Sequence, residues 1–334
     1  MFELARSTRV GRMARARSRR WSLSDPTAAI GVALFFVFLV VNLATAGSAF
    51  VPSNILETFG LAAPTILAAC AVTPSMLVGN GGIDLSAGPL MGVVNVVVVH
   101  DVIGKAAVSE PVLVVLIALG VGLAGGLING VLVAYVRIEP IVATLGTYLV
   151  FSGLALELLP TPGGAVPSWL ADLGAGASLI PVAFVLVVWW CFRRLPAYEQ
   201  LMATAGDERA AYASGIDTAK IRVIAYGLGG LFAGVAGLAL AAALGSADPT
   251  VGPTYTLTGI AAAAFGGISL AGGRGGIVRA LVGALALFLL QHFLTYLNAS
   301  PFLLDVAYGL VLVVAVAFNG AASDMLAARR RTRP

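Results

Sequence analysis

Ten apolar stretches follow one another along this chain, at about 28–46, 58–79, 85–101, 111–136, 140–159, 179–192, 221–244, 255–271, 277–297 and 302–319. A helix that crosses lipid needs about twenty such residues, and backbone in hydrocarbon must satisfy its own hydrogen bonds. The chain is 59% hydrophobic and only 11% charged, with mean hydropathy +0.96. A soluble domain is nearer one quarter charged. The expected fold is therefore an all-α polytopic membrane protein of about ten transmembrane helices, with broken or re-entrant segments.

The basic residues set a sidedness. Seven arginines lie before the first stretch (Arg6 to Arg20) and four after the last (Arg329, Arg330, Arg331, Arg333). Placing both termini in the cytoplasm also puts Arg137, Arg193, Arg194, Arg209, Lys220, Arg222, Arg274 and Arg279 inside. Only Lys105 falls outside, so nineteen of the twenty basic residues obey the positive-inside rule. Ten crossings satisfy it, and eight crossings with two re-entrant segments satisfy it almost as well. The expected organisation is a basic tail at 1–27, a membrane domain at 28–320 with a cytoplasmic segment at 193–220, and a basic tail at 321–334. The basic run, the apolar run and Ala44-Thr45-Ala46 resemble a signal peptide, but their length favours a first anchor. A net charge of +4 arranged in this way implies membrane lipid, not nucleic acid.

Within the apolar background, Gly81 to Gly88 reads Gly-Gly-Ile-Asp-Leu-Ser-Ala-Gly. A carboxylate at membrane depth is costly, about 2.5–3.5 kcal/mol on insertion scales. Glycines on both sides of Asp84 predict a broken helix, with Asp84 capping the helix that follows. Such breaks survive only when buried in protein or lining a cavity. The segment 193–220 predicts a short helix over 208–214, with Gly206 ending the run before it, Asp207 as cap and Gly215 as terminator. Its small central residues, Ala210, Ala211 and Ala213, offer a smooth surface to another protein, although an ordinary surface helix has the same pattern.

These residues carry a resemblance. Gly206 to Ile216 resembles the coupling segment of permease subunits in bacterial ABC importers for ribose and related monosaccharides, and Gly81 to Gly88 resembles that family's most recognisable motif. Asn129 to Val133, Ile141 to Leu145, Gly245 to Thr250 and Gly266 to Gly275 are similar in order and spacing, over about residues 50–320. The resemblance implies a pathway-forming subunit that pairs with a second copy or a paralogue in the bacterial inner membrane. It implies a cytoplasmic ATPase subunit that uses ATP and Mg, and an extracytoplasmic solute-binding protein, with no cofactor on this chain. The chain is accordingly expected not to be an enzyme: its only Gly-Lys, Gly104-Lys105, is followed by Ala and lacks the Walker A pattern. Gly206, Asp207, Glu208, Ala210, Ala211, Ser214 and Gly215 are the implied ATPase-coupling residues. Gly82, Asp84, Ser86, Asn129, Thr144, Gln291 and His292 are the candidates for the translocation pathway or its gate.

The chain departs from the family pattern in places that bear on its substrate. Gln291-His292 stands where paired asparagines are common, Ala205-Gly206-Asp207 where Gly-Gly-Asn is common, and Asp305 is unusual in a last crossing. A lone His in an apolar span is more often a packed, hydrogen-bonded residue than a ligand. Asn95, Asn129, Thr144, Thr147 and Tyr148 suit either a cavity for sugar hydroxyls or bonds between helices. The two Gly-Gly-Ile-x-Leu stretches, at 81–85 and 266–270, fit an internal repeat or chance. A stand-alone secondary transporter or channel is the alternative, but its intramembrane carboxylates, Asp84, Glu157 and Asp305, are scattered. Cys70 and Cys191 give neither a disulfide framework nor metal spacing.

Overall fold

Uninterrupted apolar sequence with few β-breaking turns folds here into helices throughout. The computed structural model describes residues 26–314 and residue 317. The arginines of both tails, and with them the expected placement of the termini, lie outside the described residues. The helices are α1 (Pro26–Thr45), α2 (Ile55–Val78), α3 (Ala87–Val96), α4 (Pro111–Ala134) and α5 (Pro140–Leu158). They continue as α6 (Ser168–Asp172), α7 (Leu179–Phe192), α8 (Pro196–Gly206), α9 (Glu208–Ala213), α10 (Thr218–Leu244), α11 (Thr254–Phe265), α12 (Ile277–Tyr296) and α13 (Pro301–Val314). Wide π-helical turns extend α3 to Lys105.

Each of the ten expected stretches coincides with a helix. Six of them, α2, extended α3, α4, α5, α10 and α12, are long and apolar enough to cross a membrane, and α7 with α8 makes a seventh if that bent pair is one span. The stretch expected at 255–271 stops at Phe265, because Gly266 to Gly276 forms a separate loop with several left-handed glycines. α1, α11 and α13 are the shorter apolar helices.

Burial shows which helices face lipid. In α2, 94% of the most apolar stretch is buried, against 28% in α4 and in α5. α2 is thus the central post, apolar on every side as a fully enclosed helix must be. α10 packs most extensively, against α4 and α2, and α12 closes against α1 and α2. The α4–α10 contact depends on glycine. A Cβ on Gly126 would lie 2.8 Å from the Gly230 Cα, and one on Gly230 would lie 2.6 Å from the Gly126 Cα. Gly122 and Gly234 repeat this one turn away, so the two backbones touch directly. The loop between α5 and α6 is tied to the connection between α10 and α11, where Gly163 and Ala247 exchange backbone hydrogen bonds of 3.0 and 2.9 Å.

Because its obstruction is backbone that cannot rotate away, Gly126→Ala is expected to lower stability by about 1–3 kcal/mol. Gly120→Ala, on the open side of α4 with nothing within 4 Å of the new methyl, should be neutral or slightly stabilising. Thermal melting of the detergent-solubilised protein distinguishes the two.

Candidate functional site

The break between α2 and α3 begins with three consecutive left-handed residues, Gly79 (φ 84°), Asn80 (φ 54°) and Gly81 (φ 70°). Gly82 then passes so close to the Ser75 carbonyl that a Cβ would collide with it. This fold-back leaves the carbonyls of Ile83 and Leu85 outside any helix. Two helices approach them: the Thr256 hydroxyl of α11 donates to the Leu85 oxygen at 3.0 Å, while the Thr144 hydroxyl of α5, 3.2 Å from the Ile83 oxygen, divides its one proton between it and the Pro140 carbonyl of its own helix at 2.8 Å.

Asp84 organises the rest. Its Oδ1 accepts the Ser86 N–H at 2.9 Å and the Ser86 hydroxyl at 2.7 Å. The expected helix cap takes the form of an Asx turn onto Ser86, the residue flanking α3, with the N–H of Ala87, the first residue of α3, also directed at the Asp84 carboxylate. Ser86 Oγ in turn accepts the Asn129 amide of α4 at 2.6 Å, and Asn129 Oδ1 accepts the Thr147 hydroxyl of α5 at 2.7 Å. The donors run in one direction, Thr147 to Asn129 to Ser86 to Asp84, so each bond polarises the next. All four side chains are buried.

Gly82, Asp84, Ser86, Asn129 and Thr144 are therefore brought together, joined by Thr147 and by Thr256. Thr256 was not singled out in the sequence; the only local sign was a cluster of threonines in a short apolar stretch. Gln291 and His292 lie elsewhere, on α12. His292 Nδ1 is 2.8 Å from Asn42 Oδ1 on α1, while the Asn42 amide donates to the carbonyls of Leu289 and Phe38. With that amide committed, Nδ1 carries the proton, and His292 is a helix-to-helix hydrogen bond between the rings of Phe50 and Phe288. Asn42, wholly buried, was the missed partner. Asn95 pins the 245–250 loop, donating to Ser246 O at 3.1 Å and accepting from Asp248 N at 2.8 Å. Glu157 and Asp305 are exposed on their helices and do not join Asp84.

The loop that carries Asn80 also meets the segment around α9. Asp207 Oδ1 accepts the Ala210 N–H at 3.0 Å, which starts α9, and Gly215 (φ 86°) ends it. Glu208 Oε2 accepts Arg222 Nη2 of α10 at 2.7 Å and, more loosely, the Asn80 amide at 3.4 Å. Ala205, just before α9, lies against Gly79 and Gly273, and the Gly273 N–H donates to Leu77 O at 3.1 Å. The two Gly-Gly-Ile-x-Leu stretches thus belong to loops that meet backbone to backbone. A cleft of about 590 Å³ beside α9 is lined by Arg137, Glu139, Glu208, Tyr212, Asp217 and Arg222 among others. One expectation is corrected: Ala211 is not on the free surface but buried against its own chain, while Arg209, Ala210, Tyr212, Ala213 and Ser214 are exposed. A helix of six residues has one inward position per turn, and Ala211 occupies it.

Asp84→Asn retains the Oδ1 acceptor for Ser86, whereas Asp84→Leu strands the Ser86 N–H and hydroxyl in an apolar interior. The expected cost of the leucine is about 1–3 kcal/mol per unpaired group. Substantial solute uptake in the asparagine variant and its loss in the leucine variant, measured in whole cells, is the expected result. Equal and complete loss in both would show that the charge itself is required.

The profile of the family described as "Branched-chain amino acid transport system / permease component" matches residues 54–316. The chain is 34% identical over 294 residues to the ribose import permease protein of Bacillus subtilis, covering 85% of this chain and 89% of that one. It is 35% identical over 266 residues to the ribose import permease protein of Escherichia coli K12, covering 75% and 81%. It is 30% identical over 271 residues to the galactose/methyl galactoside import permease protein of the same strain, covering 73% and 80%. No solved structure matches. A multi-pass helical chain with a broken segment at its centre, tied by polar side chains to three neighbouring helices, belongs to the branched-chain amino acid transport system / permease component family.

Proposed function

We propose that this chain forms the translocation pathway of an ABC importer for a monosaccharide or a related small polar solute. An extracytoplasmic binding protein delivers the solute, and a separate cytoplasmic subunit hydrolyses ATP with Mg; this chain binds neither and works as one of a pair, with a second copy or a paralogue. Both termini and the segment 193–220 face the cytoplasm of a bacterial inner membrane. The import relatives support the solute class, and the distribution of basic residues supports the sidedness.

The observation that carries the reading is the double attachment of Glu208. α9 presents an exposed surface, yet its first side chain is bonded both to α10, through Arg222, and to the break, through Asn80. A push on α9 from an ATPase is therefore delivered at once to the helix that packs on α2 and α4 and to the loop that leads into Asp84. The Asp84 cluster is suited to gating rather than to holding solute, because its hydroxyls and its amide are already committed to one another. Moving the loop would exchange these bonds for others.

Docking is tested at the exposed positions. Ala210→Trp enlarges the free face of α9, and overpacking a fitted contact by about 1–3 kcal/mol weakens it roughly tenfold or more. Normal membrane insertion with loss of ATPase co-purification and of uptake is expected; unimpaired uptake would refute the docking role. Ala211→Trp should instead impair folding, visible as lower yield. Transmission is tested at the ion pair, where Arg222 is 13% exposed and Glu208 37%. Glu208→Arg or Arg222→Glu alone should reduce solute-stimulated ATP hydrolysis roughly tenfold, since it places like charges in contact. The double swap should restore a measurable part of it, which a requirement for either residue alone would not allow.

A further inference from the structure

α7 ends at Phe192, the chain turns through Arg193–Leu195, and α8 departs at 82° to it. The Arg193 guanidinium lies over the Tyr198 ring, 5.6 Å from its centre, and that of Arg194 lies over the Trp190 ring at 4.2 Å. Both arginines are exposed. Among the described residues, the ion pairs are Lys105–Asp101 and Arg222–Glu208, and neither arginine takes part. Neither guanidinium has a hydrogen-bond partner among the described residues, which leaves its N–H donors, in the fork that matches phosphate oxygens, available to a ligand.

The surroundings are those of a membrane interface. Trp190 is 55% exposed and Leu195 is 54% exposed, so open apolar surface adjoins the two charges. Beneath it, Trp189, Phe192 and Tyr198 form a packed trio with ring centres 5.6–6.1 Å apart. Amphipathic rings and arginines together occupy the level where acyl chains meet headgroups. We propose that this elbow binds one anionic phospholipid, its phosphate held by the forks of Arg193 and Arg194 and its acyl chain covering Trp190 and Leu195. The apolar neighbours favour a lipid over free phosphate, which has nothing to place against them. The inference rests on reading 193–220 as the cytoplasmic side, where the leaflet is anionic. Because α8 runs from this elbow straight to Gly206 and α9, the bound lipid would anchor the far end of the lever that α9 moves.

The purified protein, with whatever subunits accompany it, is reconstituted in nanodiscs of phosphatidylcholine mixed with phosphatidylglycerol. Native mass spectrometry then counts the phosphatidylglycerol retained as the disc is stripped. Wild type should hold it, and Arg193→Gln/Arg194→Gln should lose it by roughly thirtyfold in retention, the equivalent of about 2 kcal/mol for two basic residues. Lys105→Gln, which removes the one basic residue read as lying on the opposite side, should change nothing. Trp190→Ala keeps both charges but removes a stacking partner, and should lose part of the retention. Undiminished retention in the double arginine variant, or displacement of the lipid by inorganic phosphate alone, would overturn the proposal. The docking role of α9 fails by a different sign, retention of the ATPase in Ala210→Trp, so the two readings can be rejected separately.

Discussion

A peptide carbonyl stranded in hydrocarbon costs several kcal/mol, and the break between α2 and α3 leaves carbonyls, those of Ile83 and Leu85 among them, to find donors on other helices. The rest of the structure is arranged around supplying their donors. Thr144 and Thr256 bring α5 and α11 against the break from different sides. Asp84, costly at membrane depth, is accommodated because Ser86, Asn129 and Thr147 direct a chain of donors toward it from α4 and α5. Removing any one of these helices would leave an unsatisfied polar group at the centre. A broken helix that would be a liability in isolation is thereby what fixes the register of its neighbours.

For those short bonds to form, backbones must come closer than ordinary side chains permit. The glycine rows on α4 and α10 allow that contact, and dispersion between touching backbones replaces the hydrophobic drive that lipid cannot provide. The same economy recurs at the loops, where Gly79 and Gly272 meet and Ala205 lies against both loops. Three segments far apart in sequence therefore share one contact region, and each can sense displacement of the others. The fold-back through Gly79, Asn80 and Gly81 holds left-handed φ values that glycine meets without strain at two of the three positions, while the Asn80 side chain reaches Glu208.

Much of the local structure was legible. The ten apolar stretches all became helices, since a backbone in lipid has little alternative. Asp207 as cap and Gly215 as terminator of α9 could be read from adjacent residues, because capping is decided within one turn. The polar cluster was partly legible: Asp84, Ser86, Asn129 and Thr144 stand out as costly residues in apolar runs. Their partnerships did not, for Asn129 and Ser86 are 43 residues apart and Thr256 and Leu85 are 171 apart. Nor did the facing of α9, where Ala210 and Ala211 are alike in composition and only packing tells which is inside.

The sequence by itself determined that the chain crosses a membrane, where most of its described helices begin and end to within a few residues, and which polar residues had to be accounted for. Those properties follow from transfer free energies and caps, which act on neighbours along the chain. Tertiary structure alone decided that His292 is spent on Asn42, 250 residues away, while Asp84 governs the centre. It also decided that the stretch begun at 255 would end at Phe265, and that Glu208 would join α10 and the break at once. A hydrogen bond needs its partner within about 3 Å, and no pattern along a chain specifies which distant helix will bring one there.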